Sequence, residues 1–192
     1  MTDTLLSRVP REKLPEDLQK AWDYMQNLTG EPAFVEVFAN APSLLNFVLG
    51  EFYQKIFFGG NVPNKYKQLL RLRLSIAHGC QTCNKQNVPG CIEAGYTQAH
   101  VNAIDDAENG PFTDAEKAVI AYTEQMILTN LEGTMTPELY ARLKTHFSDP
   151  DILELGTCMA VFAGMAKLSF VLELVAKEEY CPFIPAAQSA AE

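Results

Sequence analysis

The stretch Val62-Pro63-Asn64-Lys65-Tyr66-Lys67-Gln68-Leu69-Leu70-Arg71-Leu72-Arg73-Leu74-Ser75-Ile76-Ala77-His78-Gly79-Cys80-Gln81-Thr82-Cys83 decides how this chain is read. Pro63 suits the first position of a helix, and Leu69, Leu70, Leu72, Leu74 and Ile76 supply its apolar positions. Gly79 is the stop. A second helix is expected to open at once at Cys80 and to run to about Ala94, before Gly95. Pro89-Gly90 falls inside it, which predicts a kink or an early end there. Two thiols three residues apart can close a disulfide within one helical turn. If that turn opens a helix, its free N–H groups and dipole favour thiolate over thiol.

A CxxC pair has three common readings. As half of a zinc site it needs a second pair of Cys or His ligands at metal spacing. His78 stands two residues before Cys80, while His100 and His146 are distant and unpaired, so no metal is expected. The second reading is a structural pair. The third is a redox dithiol, which needs no bound cofactor because the electrons reside in the cysteines. Gly79 favours the third, since it leaves Cys80 at the positive end of the new helix. Cys158 lies in an apolar run and reads as a core residue, and Cys91 and Cys181 have no close partner in sequence. His78 has two readings, an auxiliary base near Cys80 or an ordinary helix-end histidine facing the last carbonyls.

Outward from this stretch nearly every segment carries helical signals, and none alternates with a period of two. An all-α fold follows. A helix from Leu14-Pro15-Glu16 carries Leu18, Trp22, Met25 and Leu28 and ends at Gly30. Pro42 opens a long helix with Leu45, Leu49, Phe52 and Ile56 on one side, ending at Gly59-Gly60. Thr97 caps a short helix. Thr113-Asp114-Ala115-Glu116 is a capping box for a helix to about Thr129. Thr136-Pro137-Glu138 and Ser148-Asp149-Pro150 open two more, the last reaching about Val175. That last helix is apolar almost all round, which predicts burial on most faces. Its Gly156, Ala160 and Gly164 form a smooth strip suited to close packing, either in the core or against another subunit. The chain is read as a single domain, 1–192. It comprises an N-terminal segment 1–13, N-terminal helices 14–60, a core 61–176 holding the CxxC motif, and a loose tail 177–192.

The bulk numbers bound the function. With 192 residues, 47% of them apolar, the chain can bury a real core. Its net charge of −9, without a basic stripe, argues against nucleic-acid binding. The N-terminus lacks the basic and apolar regions of a signal peptide. The longest apolar run, Leu155 to Ala166, is too short to span a bilayer. A cytoplasmic protein with no membrane partner is expected. Five cysteines in a chain of this length do not suggest a secreted disulfide scaffold.

Residues Val62 to Ser75, then Gly79-Cys80-Gln81-Thr82-Cys83, then Gly95, resemble the carboxymuconolactone decarboxylase family, most of all its alkyl hydroperoxidase D-like, peroxidase-related branch. Phe112 to Val119, Phe147-Ser148-Asp149 and Leu153 to Leu172 match in order and type. The resemblance implies an alkyl hydroperoxidase D-like helical bundle that assembles into trimers or hexamers. It also implies a CxxC dithiol that reduces peroxides and is re-reduced by a thiol partner, with Cys83 attacking and Cys80 resolving. The helix-end argument, by contrast, favours Cys80 as the lower-pKa thiol. The branch motif has a Glu twelve residues before the first Cys and a His four residues after the second, both proton carriers. Those positions are Gln68 and Asn87 here, amides that neither gain nor lose a proton near neutral pH. A thiol-dependent peroxidase or related dithiol oxidoreductase of weak activity is therefore expected. The alternatives are a lyase or isomerase for a small carboxylate or lactone, held by Arg71 or Arg73, and a non-enzymatic redox-sensing oligomer.

Overall fold

The computed structural model describes residues 5–183. Met1–Thr4 and residues 184–192, parts of the expected N-terminal segment and tail, lie outside the described residues. The α-helices are α1 Glu16–Thr29, α2 Ala33–Phe38, α3 Pro42–Asn46, α4 Asn64–Ala77, α5 Gln81–Glu93, α6 Gln98–Asn102, α7 Asp114–Gln125, α8 Pro137–Lys144 and α9 Asp149–Val171. Among the described residues no strand forms, and one isolated β-bridge pairs Cys80 with Lys177.

The helix starts follow the capping chemistry. The Thr113 hydroxyl accepts from Glu116 N–H while the Glu116 carboxylate accepts from Thr113 N–H, and Ser148 and Asp151 do the same at α9. Thr136 caps α8 and Thr97 stands before α6. Helix ends depart from the sequence pattern where tertiary partners compete. Helix α7 stops at Gln125 rather than near Thr129, and Leu128 N–H instead donates to His78 Nε2 at 3.0 Å. Helix α9 stops at Val171 rather than near Val175 because Glu173 takes a positive φ of 53° and the chain turns back. Helix α5 runs through Pro89 to Glu93, so the early end expected at Pro89-Gly90 does not occur.

The helix expected from Pro42 to Phe58 becomes α3 followed by a π-helix, Phe47–Phe58. A π-helix advances more residues per turn than an α-helix. Its buried positions accordingly fall at Val48, Phe52 and Phe57, the last displacing the expected Ile56. Phe57 and Phe52 then meet Phe162 of α9 edge-on.

Helix α4 is the centre of the bundle, packing on α5, α7, α9 and the π-helix. One side joins Leu70 and Leu74 to Phe52, Phe57, Val119, Leu143, Leu155 and Met159. The other joins Leu69 and Leu72 to Cys91, Tyr96, Ile104 and Ile120. Helix α9 differs from expectation. It is 23 residues long, which makes it long and apolar enough to cross a membrane by length and composition alone, although its uninterrupted apolar run is shorter. Only about a third of its most apolar stretch is buried. Ile152, Leu155, Cys158, Met159 and Ala163 face the core, while Leu153, Thr157, Ala160, Gly164, Leu168 and Val171 are exposed. Gly156 abuts the Tyr122 hydroxyl, but Gly164 meets nothing within 4 Å. The small-residue strip is therefore split between core and surface.

Candidate active site

Gly79 makes the sharp junction between α4 and α5. Its φ is 62°, and an added Cβ would stand 2.5 Å from Cys181 Cα, so both backbone and space call for glycine. The turn leaves Cys80 as the N-cap of α5, its sulfur accepting from Cys83 N–H at 3.2 Å. Cys80 and Cys83 are joined in a disulfide. Cys80 is fully buried, whereas Cys83 is half-buried.

Cys80 is buried because the chain after α9 folds back over it. Ala176 N–H donates to Thr82 Oγ1 at 2.9 Å, and Glu178 N–H donates to Gly79 O at 2.8 Å. Asn84 Nδ2 donates to the Glu178 carboxylate at 3.1 Å. Cys181 donates to His78 O at 3.2 Å, and Phe183 stacks on Phe170. Phe170, Val175 and Cys181 thus form a small apolar cluster with Cys80.

Both cysteines line a cavity of about 540 Å³. That volume is in the range of small-molecule sites, and far larger than a peroxide group needs. Two polar stripes face it across the α4–α5 contact. On α4 and its cap the stripe is Gln68, Arg71, Ser75 and His78, at spacings of three and four residues; on α5 it is Cys83, Asn87 and Gly90. Tyr24 and Met25 of α1, Phe34 of α2, and Tyr53 and Phe162 supply apolar walls. The N-terminal helices thereby take part in the site, which the sequence did not suggest.

Gln68 and Asn87, the two amides that stand where the resemblance implies proton carriers, are buried and line this cavity with Cys83. Gln68 Nε2 donates to Asn64 Oδ1 and Asn87 Nδ2 donates to Arg71 O, both fixing amide orientation. Gln68 Oε1 and Asn87 Oδ1 are left without hydrogen-bond partners among the described residues. Gly90 gives Gln68 its room, since an added Cβ would lie 2.9 Å from Gln68 Oε1.

His78 does not fit the role of base. It is fully buried, and burial, with a smaller effect from Arg73, pushes its pKa down to about 4. Its Nε2 accepts from Leu128 N–H, so the ring proton sits on Nδ1, which has no partner among the described residues. Nor does it interact with carbonyls of its own helix end; it is a neutral donor held at the cavity wall. Cys91 and Cys158 are unreactive thiols, pushed up by burial to about 12 and about 11. Among the described residues no three His, Cys, Asp or Glu side chains are grouped to hold a metal ion.

Arg71 and Arg73 diverge. Arg73 bonds to Glu124 and, at 2.6 Å, to Asp105, beside an open depression that holds neither cysteine of the pair. Arg71 lies in the cavity wall, its guanidinium 5.4 Å from the ring centres of Tyr53 and Phe57 and 5.6 Å from that of Phe162. Its place was legible as the stripe of polar residues at 68, 71, 75 and 78 among the leucines of α4, a pattern easily taken for a solvated face.

Comparisons with known proteins agree with this architecture. Residues 47–125 match the carboxymuconolactone decarboxylase family. The fold is similar to that of the debrominase Bmp8 in complex with 2,3,4-tribromopyrrole, with a TM-score of 0.71 at 16% identity over 92% of this chain and 93% of that one. It is also similar to an uncharacterized peroxidase-related protein from Silicibacter sp. TM1040, with a TM-score of 0.70 at 15% identity over 94% and 96%. A third is the alkylhydroperoxidase AhpD core of an uncharacterized peroxidase-related protein from Ralstonia eutropha JMP134, with a TM-score of 0.69 at 12% identity over 92% and 95%. No curated protein sequence matches significantly. With the family's segment matched at its centre, over residues 47–125, and the fold of peroxidase-related proteins along nearly its whole length, the chain is similar to the carboxymuconolactone decarboxylase family and is an alkyl hydroperoxidase D-like helical bundle.

Proposed function

We propose that this protein is a dithiol–disulfide oxidoreductase of the thiol-peroxidase type, acting on a small substrate inside the cavity. The observation that carries the reading is the Cys80–Cys83 pair at the wall of a 540 Å³ cavity, with Cys83 the more accessible sulfur. In the reduced pair Cys83 thiolate attacks the peroxide oxygen, forming an S–O bond and breaking O–O, and the departing alkoxide takes a proton to leave as an alcohol. Cys80 then attacks the Cys83 sulfenic acid, forming the disulfide and releasing water. Two equivalents of an external thiol restore the pair. The reducing cytosol expected from the sequence suits that last step. The burial of Cys80 in the apolar cluster with Phe170, Val175 and Cys181 supports its role as the resolving thiol.

The test is a thiol count on reduced, desalted protein with one equivalent of cumene hydroperoxide. Two thiols per chain are expected to disappear, with two hydrogens lost from the peptide holding Cys80 and Cys83. Cys83→Ser is expected to abolish peroxide consumption. A bridge to Cys91, or consumption unchanged in Cys83→Ser, would reject the reading.

A second reading, a lyase or isomerase for a small carboxylate or lactone, is favoured by Arg71 in the cavity wall. Such chemistry needs no dithiol and would survive Cys83→Ser. The reading of the whole protein includes assembly into a trimer or hexamer, supported by the exposed apolar stripe of α9 and the branch resemblance.

A further inference from the structure

Helix α4 carries four cations, and three have carboxylate partners. Lys65 meets Glu116 at 3.1 Å, Lys67 meets Glu154 at 2.9 Å, and Arg73 meets Glu124 and Asp105. Arg71 is the exception. It is 7% exposed, and among the described residues it has no ion pair and its side chain no hydrogen bond. The faces of Tyr53, Phe57 and Phe162 stabilise its charge, but its five N–H donors meet no oxygen acceptor among the described residues. Burying an unpaired cation with unmet donors is costly, and an anion at the guanidinium offsets that cost. Glu93, a carboxylate of the same lining, is exposed and makes no ion pair with Arg71.

The rest of the cavity specifies the remainder of such a ligand. Phe34, Val48, Leu49, Phe162 and Met165 make its body apolar. Gln68, Asn87 and His78 add polar atoms without partners but no charge, His78 being neutral near pH 7. A guanidinium presents paired N–H donors that match a carboxylate bidentately.

We propose that the cavity is a site for organic monoacids: Arg71 holds the carboxylate, the apolar body fills the space between α4 and the π-helix, and the other end reaches Cys83. This deepens the reading of the dithiol site by naming its substrate class as carboxylate-bearing molecules, of aliphatic or aromatic body.

Isothermal titration of the wild-type protein with octanoate and octanamide, and with benzoate and benzamide, tests the proposal. The acid of at least one pair is expected to bind about 10–100-fold more tightly than its amide, the range for a charge-assisted hydrogen bond. Preference in the octanoate pair identifies an aliphatic source, and preference in the benzoate pair an aromatic one. Arg71→Gln is expected to erase the preference and Arg71→Lys to keep part of it. Equal binding of acid and amide in both pairs, or no binding at all, overturns the proposal, as does a preference that persists in Arg71→Gln. The wild-type comparison decides even if a variant fails to fold. None of these measurements needs turnover, so peroxide consumption without acid preference would refute only the carboxylate site. Acid preference without peroxide consumption would refute only the peroxidase.

Discussion

His78 shows how burial changes what a residue can do. Its pKa is about 4 in the folded chain against 6.5 for the free side chain. Between those values the unfolded chain binds more protons, so stability rises with pH across that window. The contribution is complete above about pH 6.5 and is lost as pH falls toward 4; at most it amounts to about 3 kcal/mol. Urea midpoints measured from pH 7 to 4 are expected to fall steeply in the wild type and less steeply in His78→Gln. Identical slopes would contradict the neutral buried imidazole. Gln68 and Asn87 lead to a second expectation. With amides at both positions the attacking thiol lacks a dedicated base, and peroxide turnover should climb with pH as thiolate forms. General acid–base assistance is worth roughly 10²–10⁴-fold. The paired reversal Gln68→Glu with Asn87→His is expected to raise the rate near pH 7 by more than either change alone. A flat response in stopped-flow peroxide assays, with the disulfide still forming, would favour the lyase reading.

At the scale of elements, one ion pair ties three of them together. Lys67 is completely buried on α4; its ammonium donates to Glu154 of α9 at 2.9 Å and to Ile56 O of the π-helix at 2.7 Å. The Glu154 carboxylate also accepts from Asn61 and Val62 N–H, closing the loop that leads into α4. A buried pair need not beat an apolar replacement, but removing one partner strands the other. Glu154→Ala is therefore expected to lower the unfolding free energy by about 3–5 kcal/mol. Urea denaturation checks this, and a loss below about 1 kcal/mol would mean that Lys67 finds water or another acceptor. Capping signals at this scale were readable because they are local: Thr113 with Glu116, and Ser148 with Asp151, need only each other. The π-helix was not, because its extra residue per turn is settled by where Phe52 and Phe57 meet Phe162.

For the whole molecule, the outer face of α9 is the open question of assembly. Leu153 is 71% exposed and Val171 65%, with Thr157, Ala160, Gly164 and Leu168 between them along one stripe. Apolar side chains so exposed along a long helix are expected to meet another copy. Light scattering at micromolar concentration is expected to give three or six times the 21.3 kDa chain mass. Leu153→Lys with Val171→Glu is expected to shift it toward the monomer, and a wild-type mass of one chain would end the idea. The sequence by itself determined the helical class, the helix starts, the Gly79 junction and the adjacency of Cys80 and Cys83, because each depends on residues within about one turn of one another. Only the tertiary structure decided the site's walls and the state of its side chains. The pairing of Lys67 and Arg73 but not Arg71 depends on carboxylates distant in sequence, and the burial of Cys80 on the returning segment after Glu173. The neutral state of His78 depends on its burial, and the nitrogen that carries its proton on the Leu128 N–H fifty residues away. Charge and solvation in a buried site are set by neighbours in space, and the spacing of residues along one helix does not contain them.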